Sequence, residues 1–147
     1  IELAGEINTS MPKYVLGRVV DALNSRRKSL NGSRVLVLGL AYKPDVDDER
    51  ESPSYILMDL LEKCGAEVSY YDPYIPVIGP TREHGHWAGI QSVEWKPEVL
   101  GGFDLVVIAT HHKAVPYAEL AQYADCIVDS RNAMAGIETR PGQVWKA

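Results

Sequence analysis

The stretch Val35-Leu-Val-Leu-Gly-Leu-Ala-Tyr-Lys-Pro-Asp-Val-Asp-Asp-Glu-Arg-Glu-Ser-Pro-Ser54 decides the fold. Its first four residues are apolar and valine-rich, too short a run for a helix and suited to a buried strand. Ser52-Pro53 is a helix start, serine as N-cap and proline at the first helical position. The twelve residues between, Ala41 to Ser52, carry five acidic and two basic side chains. Strand-to-helix loops in α/β units usually take about 2–6 residues, and longer ones tend to be functional. This loop is the first candidate site.

Outward from it, the chain alternates strands and helices. Pro53 to Cys64 predicts a helix with Ile56, Leu57, Leu60, Leu61 and Cys64 on its apolar face, ended by Gly65. Ala66 to Tyr71 predicts a second strand, stopped by Asp72-Pro73. Asp104 to Thr110 and Cys126 to Asp129 predict two more buried strands, Val144-Trp145 a last short one, and Gln91 to Trp95 an edge segment. Val115 to Tyr123 predicts a short helix, and Pro76 to Gly89 a surface excursion. Upstream, Ile1 to Ile7 reads as the tail of one helix. Ser10 and Pro12 mark the start of another, whose stripe is Val15, Leu16, Val19, Val20 and Leu23. Arg26, Arg27 and Lys28 suit the negative pole at its end, as a solvated terminus. Near-continuous apolar strands between helices imply an α/β fold: a Rossmann-like parallel sheet with helices on both faces, preceded by an N-terminal helix.

The totals narrow the function. The 147 residues suffice for one core, and no apolar run approaches a membrane span. A net charge of −5 argues against a dedicated nucleic-acid or anionic-membrane surface. Cys64 and Cys126 sit in apolar settings and are expected as reduced core thiols in a cytoplasmic protein. The chain begins with Ile, so it reads as a fragment or processed product.

Ligands of such sheets bind beyond the carboxyl ends of the strands, which singles out Tyr42, Lys43, Asp72, Thr110, His111 and Asp129 to Arg131. Gly39 stands alone, without the G-x-G-x-x-G of a dinucleotide site. Lys43, Arg50 and the N–H groups of the helix capped at Ser52 offer a phosphate site. Against it stands the loop's net charge of −3, from Asp45, Asp47, Asp48, Glu49 and Glu51 against the two cations. Those carboxylates either orient the cations or bind a divalent ion, and the metal signal is the weaker. His84 with His86, and His111 with His112, lack the further ligands zinc requires. No G-x-S-x-G elbow or activated cysteine is present, so no catalytic residue is assigned.

From Gly39 through Pro53 the sequence resembles the UDP-glucose and GDP-mannose dehydrogenases, in their C-terminal nucleotide-sugar-binding domain. The resemblance continues through Gly65 to Tyr74, Asp104 to Thr110 and Asp129-Ser-Arg-Asn132. Glu2 to Asn8 and Met11-Pro12 resemble the segment between that family's central helix and this domain. Residues 1–30 would then be the end of a central helical region with a linking helix, and 31–147 the C-terminal domain. The resemblance implies a two-step, NAD-dependent oxidation of a UDP-sugar C6 alcohol to a uronate through a cysteine-bound intermediate. It implies that Tyr42, Lys43 and Arg131 contact the nucleotide sugar and that Arg50 reaches toward NAD held by another domain. The branch implied is that acting on UDP-N-acetylhexosamines, with UDP-glucose the alternative sugar and a homo-oligomeric parent. The family's catalytic cysteine motif has no counterpart here, so the chain alone is expected to be inactive. Two competing readings remain: a non-catalytic nucleotide-binding regulatory module, and a metal-dependent phosphohydrolase using Asp45, Asp47 and Asp48.

Overall fold

The computed structural model describes residues 2–41, 44–45, 52–80 and 85–147, with 2–10 described as backbone. Helix α1 spans Glu2–Ser25, followed by β1 (Arg34–Leu38), α2 (Pro53–Lys63), β2 (Glu67–Tyr71), α3 (Pro97–Leu100), β3 (Leu105–Ile108), α4 (Tyr117–Tyr123), β4 (Ile127–Asp129) and β5 (Val144–Lys146). The five strands form one sheet in the order β2-β1-β3-β4-β5, and every pairing is parallel.

Side-chain alternation along the strands splits the core into two layers. Val35, Val37, Leu105, Val107, Cys126 and Val128 face α1 and α2. Leu36, Leu38, Val106, Ile108 and Ile127 face α3, α4 and the segment around Met134. Helices therefore cover both faces, as the apolar strands require. Strand order reverses between β1 and β3, and that switch point fixes where a ligand crevice can open.

Several local expectations change. Helix α1 runs through Pro12 without a new start at Ser10. Proline removes one helical hydrogen bond, but here its ring is buried and helps form the wall of a cleft. Val20 is 42% exposed, while Ala22 is fully buried beside Val19 and Leu23. The helix rotates so that a small residue meets the sheet. On α2 the buried positions are Ser54, Tyr55, Leu57, Met58 and Leu61. Ile56 and Leu60 are only half-buried, because the aromatic ring of Tyr55 and the length of Met58 claim the core face. Cys64 is exposed at the end of α2 and only Cys126 is a core thiol. Arg26, Arg27 and Lys28 follow α1 rather than occupy its last turn. Arg26 donates to the carbonyls of Asp125 and Gly142, and Lys28 pairs with Asp104 at 2.8 Å. The cations thus brace the amino edge of the sheet. Residues 91–95 contribute a single antiparallel bridge, Val77 to Gln91, and α3 is a four-residue helix outside the sequence reading.

Gly39 follows β1 with φ +96°, and a Cβ there would fall 2.5 Å from Thr110 Cβ. Gly17, on α1, has nothing within 4 Å of such an atom. Gly39→Ala is expected to cost about 3 kcal/mol or more, combining left-handed strain with overpacking. Gly17→Ala is expected to add about 0.5–1 kcal/mol through helix propensity. Urea unfolding of both variants checks the pair.

Candidate functional site at the carboxyl edge of the sheet

The site grows from the ends of three adjacent strands. Beyond β2, the Asp72 carboxylate is buried and accepts four hydrogen bonds. Its Oδ2 takes the N–H of Leu40 at 2.7 Å, the N–H of Ala41 at 3.1 Å and His112 Nε2 at 2.9 Å. Its Oδ1 takes the N–H of Tyr74 at 2.8 Å. Burial alone would raise the Asp72 pKa, but the bonds from His112, Tyr74 and Leu40 outweigh it and hold the carboxyl below its usual range. Beyond β3, Thr110 Oγ1 donates to the carbonyl of Ala41 at 2.9 Å. The start of the long loop is therefore tied down from both neighbouring strands.

His112 ties a second point. The N–H of Asp45 donates to His112 Nδ1 at 2.8 Å. That nitrogen must carry a lone pair, so the proton sits on Nε2 and points at Asp72. Asp45 Oδ1 in turn accepts the N–H of Lys113 at 2.6 Å. Asp45 has φ 62°, in the left-handed region that aspartate enters more readily than most non-glycine residues. Asp45 is thus engaged in backbone geometry. Among the described residues no group of three His, Cys, Asp or Glu side chains is arranged to hold a metal.

The far end of the loop is closed by Ser52. Its Oγ accepts the N–H of Ser54 at 3.2 Å, and its carbonyl accepts that of Tyr55 at 3.2 Å. Pro53 has no N–H, so the first turn of α2 offers no free donor from 53 to 55. This corrects the expectation that these N–H groups hold a phosphate; side-chain cations and the helix dipole remain for that task.

A cleft of about 240 Å³ lies over this edge. Met11, Pro12 and Val15 of α1 form one wall, and Ala41, Leu57, Ser130 and Arg131 line the remainder. Asp129, buried, shapes the rim: its Oδ1 accepts the N–H of Arg131 and Ala133, and its Oδ2 that of Met134. Arg131 Nε donates to the carbonyl of Ala109 at 2.9 Å. The two Nη groups have no partner among the described residues. An exposed guanidinium is thereby fixed at the root and free at the tip.

Of the residues expected from sequence, Thr110, Ser130 and Arg131 line this cleft, while Asp72 and Asp129 are buried backbone anchors at the ends of β2 and β4. Tyr42, Lys43 and Arg50 lie outside the described residues, as do Asp47, Asp48 and His84. His111 stands edge-on to Tyr117 at 5.1 Å between ring centroids; among the described residues the buried histidine is His112. The pairing follows from the strand order: in a 2-1-3 sheet the ends of β2 and β3 flank β1, so an acid after one and a histidine after the other meet across it. His86 is spent on Asp59 of α2, at 3.0 Å. Gly39 packs closely against Thr110, and the sequence after it lacks the G-x-G-x-x-G of a dinucleotide turn.

The fold and this edge define a doubly wound α/β domain with a cation-bearing crevice at its topological switch point. Residues 36–136 match the UDP-glucose/GDP-mannose dehydrogenase family, UDP binding domain. The chain belongs to that family. It is 31% identical over 137 residues to the UDP-N-acetyl-D-mannosamine dehydrogenase of Pyrococcus horikoshii, covering 90% of this chain and 29% of that protein. It is 34% identical over 122 residues to the UDP-glucose 6-dehydrogenase of Bacillus subtilis, covering 78% and 26%. The crystal structure of an NDP-N-acetyl-D-galactosaminuronic acid dehydrogenase from Methanosarcina mazei superposes with a TM-score of 0.77 at 28% identity, over 99% of this chain and 30% of that one. The chain spans less than a third of the length of these relatives.

Because folding lowers the Asp72 pKa, the native state binds fewer protons than the unfolded chain in the acid range. The stability Asp72 contributes is present above the ordinary carboxylate pKa and lost as pH falls through the lower, native one. Asp72→Asn is expected to flatten that acid limb of the stability–pH curve, and Asp72→Ala to cost about 3 kcal/mol at neutral pH. Thermal unfolding between acid and neutral pH checks both.

Proposed function

We propose that this chain is the nucleotide-sugar-binding domain of an NAD-dependent dehydrogenase, one that oxidises the C6 alcohol of a UDP-sugar to a uronate in two steps. The observation that carries the proposal is Arg131. A guanidinium anchored through Nε at the cleft on the carboxyl edge, with both Nη groups unpartnered among the described residues, is the chemistry a diphosphate asks for. Membership of the family supports assigning Tyr42 and Lys43 to the same ligand, with the lysine at its phosphates, and Arg50 to a contact with NAD. The relatives' names favour a UDP-N-acetylhexosamine over UDP-glucose as the sugar.

On this reading residues 1–30 lead in from a central helical region and 31–147 form the binding domain. NAD would be held mainly by polypeptide outside this chain, as would the reactive cysteine. Exposed Cys64 and buried Cys126 lack the glycine-rich setting of such a nucleophile, and burial raises the Cys126 thiol pKa, away from reactivity. The parent would be a cytoplasmic homo-oligomer. No described helix is long and apolar enough to cross a membrane.

Titration calorimetry with UDP tests the site. Wild type is expected to bind, while Arg131→Ala and Lys43→Ala each lose about 1.5–3 kcal/mol, roughly 10- to 150-fold in affinity. Equal affinity in all three overturns the assignment. The chain alone is expected to give no NADH with any UDP-sugar, and turnover would contradict the division of labour proposed.

A further inference from the structure

We propose that Lys146, at the end of β5, is a further cation of the diphosphate site and takes the phosphate that Arg131 does not hold. The proposal rests on the reading just given, that the carboxyl edge binds a UDP-sugar through Arg131.

A second, open cleft of about 520 Å³ shares Ser130 and Arg131 with the first. Asp129, Asn132, Lys146 and Ala147 complete its lining. The sheet register puts the two cations there. β4 and β5 run parallel with Asp129 opposite Lys146, and the N–H of Ala147 donates to the Asp129 carbonyl at 3.0 Å. Arg131, two residues beyond Asp129, and Lys146 therefore leave neighbouring strand ends on the same edge of the sheet.

What this cleft offers a ligand follows from which groups are already spent. The buried Asp129 carboxylate accepts the N–H groups of Arg131, Ala133 and Met134, so the amides of the turn after β4 are used. Ser130 Oγ donates to the carbonyl of Ile108 at 2.6 Å. The Nη groups of Arg131 and the side chains of Asn132 and Lys146 remain, exposed and without a partner among the described residues. Two cations against one buried carboxylate give this corner a positive surplus, on a chain whose net charge is −5. Each phosphate of a nucleotide-sugar diphosphate carries one negative charge, and a single guanidinium matches one of them. Arg131 is rooted at the Ala109 carbonyl, whereas the four-carbon stem of a lysine carries a compact charge toward the other phosphate.

The experiment is calorimetric titration of UDP and of UMP into wild type, Lys146→Met, Lys146→Arg and Lys63→Met. Lys63 ends α2, lies outside both clefts and controls for the loss of one positive charge. Lys43 is unchanged throughout, so its share of the binding cancels. Lys146→Met is expected to bind UDP about five- to tenfold more weakly and UMP within about twofold of wild type. Lys146→Arg, which keeps the charge, is expected to restore most of the UDP affinity, and Lys63→Met to match wild type with both ligands. An unchanged ratio of UDP to UMP affinity in Lys146→Met overturns the proposal and leaves Lys146 a solvated surface residue. An equal loss in Lys63→Met overturns it as well, by assigning the effect to net charge. Failure of the wild type to bind UDP overturns the functional reading, and the role of Lys146 with it.

Discussion

A carboxylate sealed inside the protein must be satisfied by donors, and Asp72 draws its donors from three parts of the chain that are distant in sequence. It takes the backbone leaving β1, the turn after β2 and the imidazole after β3. Removing any one leaves a buried ion short of partners, which is far costlier than losing an ordinary surface pair. The ends of the three strands are therefore bound into one unit. The parallel sheet brings those ends side by side, and Asp72 fixes how the chain departs from them.

Around that unit the remaining polar residues divide into anchors and free groups. Thr110, Asp129, Ser52 and Ser54 are buried and spend their side chains on backbone: Ser54 Oγ donates to the carbonyl of Gly39 at 2.9 Å. Arg131 is held by one nitrogen and presents the others outward. Such a division is what a binding edge needs, since a cation already fixed at its base loses less freedom on meeting an anion. The apolar wall from α1 adds a surface with no hydrogen-bonding demand beside the charged rim. Pro12 belongs to that wall, which gives its place inside a helix a use.

The layered architecture was legible because fully buried parallel strands leave an unambiguous trace: Val35 to Leu38, Leu105 to Ile108 and Ile127-Val128 admit no polar position. Helix faces were less so. Periodicity alone could not rank Val20 against Ala22, or Ile56 against Tyr55, because the choice depends on how closely each helix approaches the sheet. The helix break expected near Ser10 failed because a proline weighs only local hydrogen bonding, whereas tertiary burial decides the outcome. The buried pair of Asp72 with His112 was hidden for another reason. It joins residues 40 apart, and only the strand order, which no local pattern encodes, makes them neighbours. His111, next to it, carries the same chemistry and faces Tyr117.

The central claim is that the carboxyl edge of this sheet is where the diphosphate of a nucleotide sugar sits. Two-dimensional ¹H–¹⁵N NMR of the labelled chain, titrated with UDP, tests it most directly. The account expects saturable shifts in the amides of Ala41, Asp45, Thr110 and Arg131, with those of the amino edge, such as Lys28 and Arg34, unmoved. Shifts confined to the amino edge, or none at saturating UDP, would contradict it.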